Sequence, residues 1–373
     1  MTHTGERAGS LADSPLLTLG SSTMHTRRLT VLGAVAFAAA AVGIACTKST
    51  APALDPNGVA YSFVTLGCNR VAAGDTIGNV STANVAQLNQ TFADIATLNP
   101  KPNLLFFTGD MVLGYTNDST NLDKELKAWV GLWEASPAKT AGIELIAVPG
   151  NHETENVAKV ATAPAERVWL RDLAPYIARG GNGPAAGVDG YTTDQSKLTY
   201  SFDYKDAHFV TLSTDGVGKD WHVPTTWVAA DLAAAKTKGQ KHIFVFGHKP
   251  AYAYPGVPTD GLVFDSTSRN TFWSALVANQ AEAMFSAHNH VFWRGQPTGK
   301  TYQIIAGNGG TALDATVDAT IPGTGKYFGF TLVQVLNSGR VVMKSYGREV
   351  PTAGYTAATT PATLRDSTEI TWK

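Results

Sequence analysis

From residue 59 onward the chain alternates short apolar runs with amphipathic stretches. Residues 104–108, 143–148, 243–246 and 283–286 are apolar and β-prone, and each is followed by glycine, proline-glycine or alanine and then a polar residue. A run of that length, closed in that way, reads as a buried strand that turns sharply at its carboxyl end. Residues 83–98, 122–133 and 166–176 place apolar residues at the 3.6-residue spacing of helices. Later segments read as paired strands: 198–204 with 208–213, then 302–306, 329–335 and 340–346, with Asn337-Ser338-Gly339 as a hairpin turn. Residues 180–190, rich in Gly, Pro and Ala, predict a mobile loop near any site at the strand ends. The Thr- and Ala-rich tail after Val350 predicts loose packing. No internal repeat interrupts this order, which is that of an α/β chain.

Composition changes the picture little. A hydrophobic content of 44% and a charged content of 16% over 373 residues leave ample material for a core. The formal net charge of −1, with no basic block after the amino terminus, gives no electrostatic footing for nucleic acid, and no nucleic-acid partner is expected.

The amino terminus reads as a targeting segment. Arg27-Arg28 precede the apolar stretch 29–45, and Cys46 follows it. This is the charged region and apolar core of an export signal over residues 1–45, with Met24 an alternative start, and the paired arginines fit the twin-arginine route as well as the general one. Gly43-Ile44-Ala45-Cys46 resembles a bacterial lipobox, which implies a lipid on Cys46; an uncleaved signal anchor is the alternative. Residues 46–58 then form a tether, 59–348 the folded domain and 349–373 the tail. The expected location is exported, periplasmic or cell-surface, and lipid-anchored. The chain has two cysteines. With Cys46 lipidated, Cys68 is a free thiol; otherwise a Cys46–Cys68 disulfide is open.

The polar residues at the strand ends carry the candidate chemistry: Gly109-Asp110, Val148-Pro149-Gly150-Asn151-His152-Glu153, Gly247-His248 and Ala287-His288-Asn289-His290. Ligands bind at the carboxyl ends of strands in open α/β sheets, so this ordered set reads as a dispersed metal site. Each part has a structural alternative. Asn151 with His152 could cap a helix, His288 and His290 could mark a solvated strand end, and Asp110 could cap the segment after it. Alternation along an extended chain would put His288 and His290 on one side, as shared ligation requires. His208, His222 and His242 read as structural or surface residues, with His222 held open as a pocket residue and Asp215 as a support behind the ligands. Trp221, Tyr252, Phe292 and Trp293 lie near these motifs and read as pocket lining or core, with core expected for at least two.

Taken together, the motifs resemble the calcineurin-like metallophosphoesterases, the family that includes purple acid phosphatases. The resemblance spans about residues 61–346. It is supported by a Trp-Leu-type helix at 227–235, by Lys249-Pro250-Ala251-Tyr252 after the lone histidine, and by the turn Gly307-Asn308-Gly309-Gly310. It implies a four-layer α-β-β-α sandwich of two mixed sheets flanked by helices. It implies two divalent or trivalent ions (Fe, Zn or Mn) and hydrolysis of a small phosphorylated substrate, a phosphomonoester, by a metal-bound hydroxide. Asp110 would bridge the ions. Asn151, His248 and His288 would complete the second, while His290 and Cys68 would hold the first. His152 would sit beside the substrate, stabilising phosphoryl charge or protonating the leaving alkoxide.

The chain departs from the family at Cys68, which stands where the first metal-binding Asp is expected, and at Arg70, where many members have a histidine. Ala287 replaces a glycine. A thiolate is a softer donor than carboxylate. Three outcomes follow: an active centre with altered metal choice, a centre holding the second ion alone, or a catalytically impaired metal- or phosphate-binding envelope lipoprotein. Arg70 would supply positive charge to substrate phosphate beside Asn151 and His152, with a surface salt bridge as its alternative.

Overall fold

The computed structural model describes residues 55–75, 85–314, 316–350 and 359–372. The expected signal, Cys46 and most of the tether lie outside the described residues. Among the described residues no helix is long and apolar enough to cross a membrane.

Strands β1 (Val59–Leu66), β2 (Leu104–Thr108) and β3 (Glu144–Val148) run parallel, linked by α1 (Val85–Ala96), then α2 (Ser119–Glu134) and the single turn α3 (Pro137–Thr140). After α4 (Asn151–Thr154) and α5 (Ala163–Asp172) the chain builds a second sheet, beginning with β4 (Tyr200–Tyr204) and β5 (Ala207–Leu212). A small hairpin follows, β6 (Asp215–Gly216) with β7 (Lys219–Asp220), and then α6 (Thr225–Thr237), β8 (His242–Gly247), α7 (Ser266–Ala278) and β9 (Ala283–Ser286). β10 (Phe292–Gly295), β11 (Tyr302–Ala306) and the short β12 (Thr324–Gly325) finish that sheet. The chain returns to the first sheet with β13 (Phe328–Leu336), β14 (Val341–Arg348) and β15 (Thr363–Glu369). The sheet orders are β15-β14-β13-β1-β2-β3 and β12-β10-β11-β9-β8-β5-β4.

Period-two alternation explains the layering. In β8, Phe244 and Phe246 face the first sheet, where Phe63 of β1 meets their rings edge-on with centroids 4.9 and 5.6 Å away. Phe209 and Phe285 join the same inter-sheet cluster at 5.4 and 5.6 Å from Phe63. Ile243 and Val245 point the other way and pack with Val228 and Leu232 of α6 and Phe272 and Leu276 of α7. On the first sheet's outer face, Leu88 and Phe92 of α1 and Trp129 and Trp133 of α2 are buried. Helix, sheet, sheet and helix therefore form four layers, the architecture expected from the family resemblance.

Three segments differ from the sequence reading. The tail is not loose throughout: β15 pairs antiparallel with β14 and buries Ile370. Its sequence, Thr-Leu-Arg-Asp-Ser-Thr-Glu, lacks the apolar alternation of a half-buried strand because it is an edge strand held by backbone bonds. Residues 180–190 make contacts away from the motifs: the Asn182 side chain bonds Ser201 at 3.1 Å, and Trp227 Nε1 donates to Asn182 O at 2.9 Å. Among the described residues no hydrogen bond joins that segment to the strand-end motifs. Helix α7 escaped the pattern because its buried residues, Phe272, Trp273 and Leu276, cluster within about one turn.

Candidate metal centre

The carboxyl ends of parallel strands from both sheets meet at one edge of the sandwich. Cys68 and Arg70 follow β1, Asp110 follows β2, Asn151 and His152 follow β3, His248 follows β8, and His288 and His290 follow β9. Backbone bonds stitch the two sheets together there: Gly67 N donates to Ala306 O at 3.0 Å and Gly309 N to Gly67 O at 3.0 Å, while Ala287 N to His248 O at 2.9 Å ties the ends of β8 and β9 within the second sheet. Gly109 and Gly150 permit this approach. A Cβ on Gly109 would lie 2.6 Å from Gly150 Cα and from His248 Nδ1, and Gly109 adopts φ +84°. Cys68, Arg70, Asp110 and His288 are non-glycine residues at φ 61°, 58°, 55° and 64°. Such backbone strain costs on the order of 1–3 kcal/mol per residue and persists where the surroundings over-determine the turn, often at functional sites.

One group of donors is fully formed. His248 Nε2 lies 3.0 Å from Asp110 Oδ1 and 3.2 Å from His288 Nδ1, which lies 3.2 Å from Asn151 Oδ1. Ligands about 2.0–2.2 Å from a tetrahedral or octahedral ion stand roughly 3 Å apart, so these contacts suit a shared cation. The other nitrogen of each ring is committed: His248 Nδ1 donates to Thr108 O at 2.8 Å, and His288 Nε2 donates to Asp260 Oδ1 at 2.9 Å. The lone pairs of His248 Nε2 and His288 Nδ1 therefore face one point, the outer-partner arrangement that prepares histidines for a metal. Burial pushes His248 down, but the Asp110 charge and hydrogen bond outweigh it and raise its pKa above the ordinary value. Burial alone would raise Asp110, yet His152, His248 and Arg70 bring it well below the carboxylate range. Metal binding requires neutral imidazoles and an ionised carboxylate, so ion affinity at this group depends on pH. This donor set fits a divalent ion.

The other group is composed differently. Cys68, Asp110 and His290 bring one ligand atom each within 4.8 Å of one another. Cys68 is a free, fully buried thiol 3.9 Å from Asp110 Oδ2, and it accepts a bond from His288 N at 3.2 Å. Burial and the Asp110 charge raise its pKa well above normal. His290 Nδ1 donates to Ala312 O at 3.0 Å, leaving Nε2 buried and unpartnered among the described residues. Arg70 enters the same space: its Nε and Nη2 donate to Asp110 Oδ2 at 3.1 and 3.0 Å. The surface salt bridge offered as an alternative is thus a contact to a fully buried carboxylate.

His288 and His290 do not act as neighbours on one side of an extended strand. β9 ends at Ser286, His288 turns left-handed, and the two rings point to different donor groups. His152 binds no donor group. Its Nδ1 donates to Leu113 O at 2.5 Å, and its Nε2 stands 3.7 Å from Asp110 Oδ2. Burial brings the ring down to about 4, so it is neutral near pH 7.

Several contributors carried no sequence signal or an unread one. Asp260, which orients His288, sits 28 residues upstream in a loop. Glu153 accepts from Gly150, Asp110 and Val112 N–H groups at 2.7, 3.0 and 3.1 Å, locking two ligand loops together. It belongs to the quoted motif, and its spacing from Asn151 was the available clue. Burial and the Asp110 charge push Glu153 up to about 7. Tyr115 touches Asn151 Nδ2 and lies tilted against His152, with ring centroids 3.9 Å apart. Behind His248, Lys249 is fully buried between Glu155 and Asp215 and under the Trp221 ring, its Nζ 3.3 Å from the centroid. Asp215 thereby supports Lys249 and Trp221, whose N–H it accepts at 3.0 Å. Trp221 meets His288 edge-on at 5.4 Å, whereas Phe292 and Trp293 are core. Tyr252 packs on Trp273. His208 bridges Asp203 and Asp231, His242 pairs with Glu282, and His222 faces Ser268 and Asp265, all away from the centre.

Comparison with known proteins agrees with this geometry. The family profile described as Calcineurin-like phosphoesterase matches residues 71–292, over half the chain, and begins directly after Arg70. No curated protein matches the chain in sequence. Among solved structures, the purple acid phosphatase from yellow lupin (Lupinus luteus) seeds superposes with a TM-score of 0.55 at 14% identity, covering 84% of this chain and 54% of that one. The chain thus spans about half the length of the lupin enzyme. A dimetal phosphatase from Danio rerio gives 0.52 at 15% identity, covering 86% of this chain and 100% of that one. At these identities the likeness is one of fold.

Proposed function

The chain belongs to the calcineurin-like phosphoesterase family, and from that premise we propose that it is an exported, membrane-tethered hydrolase of small phosphomonoesters. Family membership and the dimetal neighbour indicate a two-metal type of centre, with the ions unidentified. The observation that carries the reading is the convergence of Asp110 Oδ1, Asn151 Oδ1, His248 Nε2 and His288 Nδ1, with both rings' remaining nitrogens already bonded. These four residues would hold a divalent ion, which would supply Lewis-acid polarisation of a phosphoryl oxygen and acidify water at neutral pH.

The chain's own residues set the rest. Asp260 fixes the His288 tautomer, and Glu153 holds the Asp110 and Asn151 loops in register. His152 offers Nε2 to the space above Asp110 while Leu113 O keeps the proton on Nδ1. A phosphate dianion arriving beside the neutral ring raises its basicity, because an opposite charge favours imidazolium. His152 then takes a proton at Nε2 and passes it to the leaving alkoxide. Export and tethering draw on Arg27-Arg28, the apolar stretch 29–45 and Cys46.

The test is p-nitrophenyl phosphate turnover by the full-length chain supplied with Mn, Zn or Fe, beside the His152→Ala variant. Turnover that needs metal and falls in the variant supports the reading; metal-independent or absent turnover with every ion refutes it. Release from membranes by detergent but not by salt tests the tether.

A further inference from the structure

Resting on that reading, we propose that the Arg70 guanidinium occupies the place of a second cation, so that the centre takes one divalent ion, held by Asp110, Asn151, His248 and His288. Asp110 is the one carboxylate shared by both donor groups. Its Oδ1 faces the formed group through His248, whereas its Oδ2 receives two N–H bonds from Arg70, at 3.1 and 3.0 Å. The same oxygen already has His152 Nε2 at 3.7 Å and Cys68 Sγ at 3.9 Å. A guanidinium carries five N–H donors and no lone pair, and it keeps its charge. Arg70 therefore cannot serve as a metal ligand; beside Asp110 Oδ2 it competes with a metal for the same negative charge.

The backbone puts Arg70 there by construction. Asn69 N and Arg70 N both donate to Asp110 O, at 2.8 and 3.0 Å, Cys68 N donates to Gly109 O at 3.0 Å, and Val71 N donates to Met111 O at 2.8 Å. Segment 68–71 is thus laced to segment 109–111, and Arg70 is held left-handed within it at φ 58°. The carboxylate is fully buried and the arginine side chain is 23% exposed, so the pair is largely shielded from water. A guanidinium in that position supplies fixed positive charge beside Asp110, as a second cation would. Two residues at this end depart together from a metal-rich composition, a thiol at Cys68 and a fixed cation at Arg70, beside the one imidazole of His290.

The experiment is metal counting on the full-length chain equilibrated with MnCl2 alone, by elemental analysis and by Mn(II) electron paramagnetic resonance. The expected result is one ion per chain with an uncoupled signal, two ions with a spin-coupled signal in Arg70→Ala, and one ion in Arg70→Lys, which keeps the charge. Two ions in the unsubstituted chain overturn the inference while leaving the phosphoesterase reading standing. One ion in a folded Arg70→Ala variant also overturns it, since the vacancy would then owe nothing to Arg70. No bound ion in the unsubstituted chain removes both readings. Where Arg70→Ala fails to fold, Arg70→Ser takes its place with the same expected and contrary counts, and two ions in the unsubstituted chain overturn the inference without any variant.

Discussion

The two donor groups share Asp110 but are built to different plans. Around His248 and His288 every ring nitrogen that does not face the common point is spent on a carbonyl or a carboxylate, and the converging atoms stand 3.0–3.2 Å apart. Around Cys68 and His290 the spacing is looser, with Cys68 Sγ 3.9 Å from Asp110 Oδ2, and a guanidinium is bonded to the carboxylate. The difference teaches that ligand types alone do not make a metal group: His290 Nδ1 is also spent on a carbonyl, but the carboxylate oxygen on its side is already bonded to a cation. Both groups contain histidine and Asp110, yet only one has its donors oriented against a single point with no competing cation.

Substitutions can break this contrast, and the largest effect belongs to the formed group. His248→Ala should abolish both the bound ion and turnover, a loss beyond the roughly 10–100-fold that follows removal of an outer partner alone. Metal analysis beside phosphatase assay reads both. His152→Ala should lower kcat by about 10²–10⁴-fold, the range of a general acid-base group, with metal content unchanged. Asp260→Asn should weaken ion affinity roughly 10–100-fold by freeing the His288 tautomer, measured by competition with a metal indicator. His290→Ala, on the other side of the comparison, should leave metal content intact and change turnover by about tenfold or less, on the order of one hydrogen bond. Metal loss there would show that the two groups are equivalent.

A smaller prediction lies away from the centre. Burial lowers the pKa of His208, but bonds to Asp231 and Asp203 outweigh it and leave the folded value raised. The stability it contributes is therefore fully present below its unfolded value of about 6.5 and is lost as pH rises through the folded value. Thermal melts of the unsubstituted chain should show this decline toward alkaline pH, and His208→Gln should flatten it.

Much of this was legible in the sequence because buried parallel strands write themselves as apolar runs. Residues 104–108 and 283–286 coincide with β2 and β9, and each run's closing polar residue is where the structure gathers Asp110, Asn151, His248 and His288. What escaped was set by backbone and by distance. β15 is an edge strand of polar residues, and α7 buries too few residues to show a period. The left-handed turns at Cys68 and Arg70 leave no composition signature, because these side chains do not normally favour that conformation, and a single histidine such as His288 is too weak a signal to mark one. As a result the reach of Arg70 to Asp110 and the divergence of His288 from His290 emerge only in three dimensions. Asp260 is beyond local pattern for the same reason: a loop residue meets His288 through tertiary folding alone.

The most direct measurement is anomalous X-ray scattering from crystals of the full-length chain grown with manganese. The account predicts a peak bonded to Asp110 Oδ1, Asn151 Oδ1, His248 Nε2 and His288 Nδ1, with Arg70 still on Asp110 Oδ2. A map without density at that point, or with the ion bound only by Cys68 and His290, would contradict it.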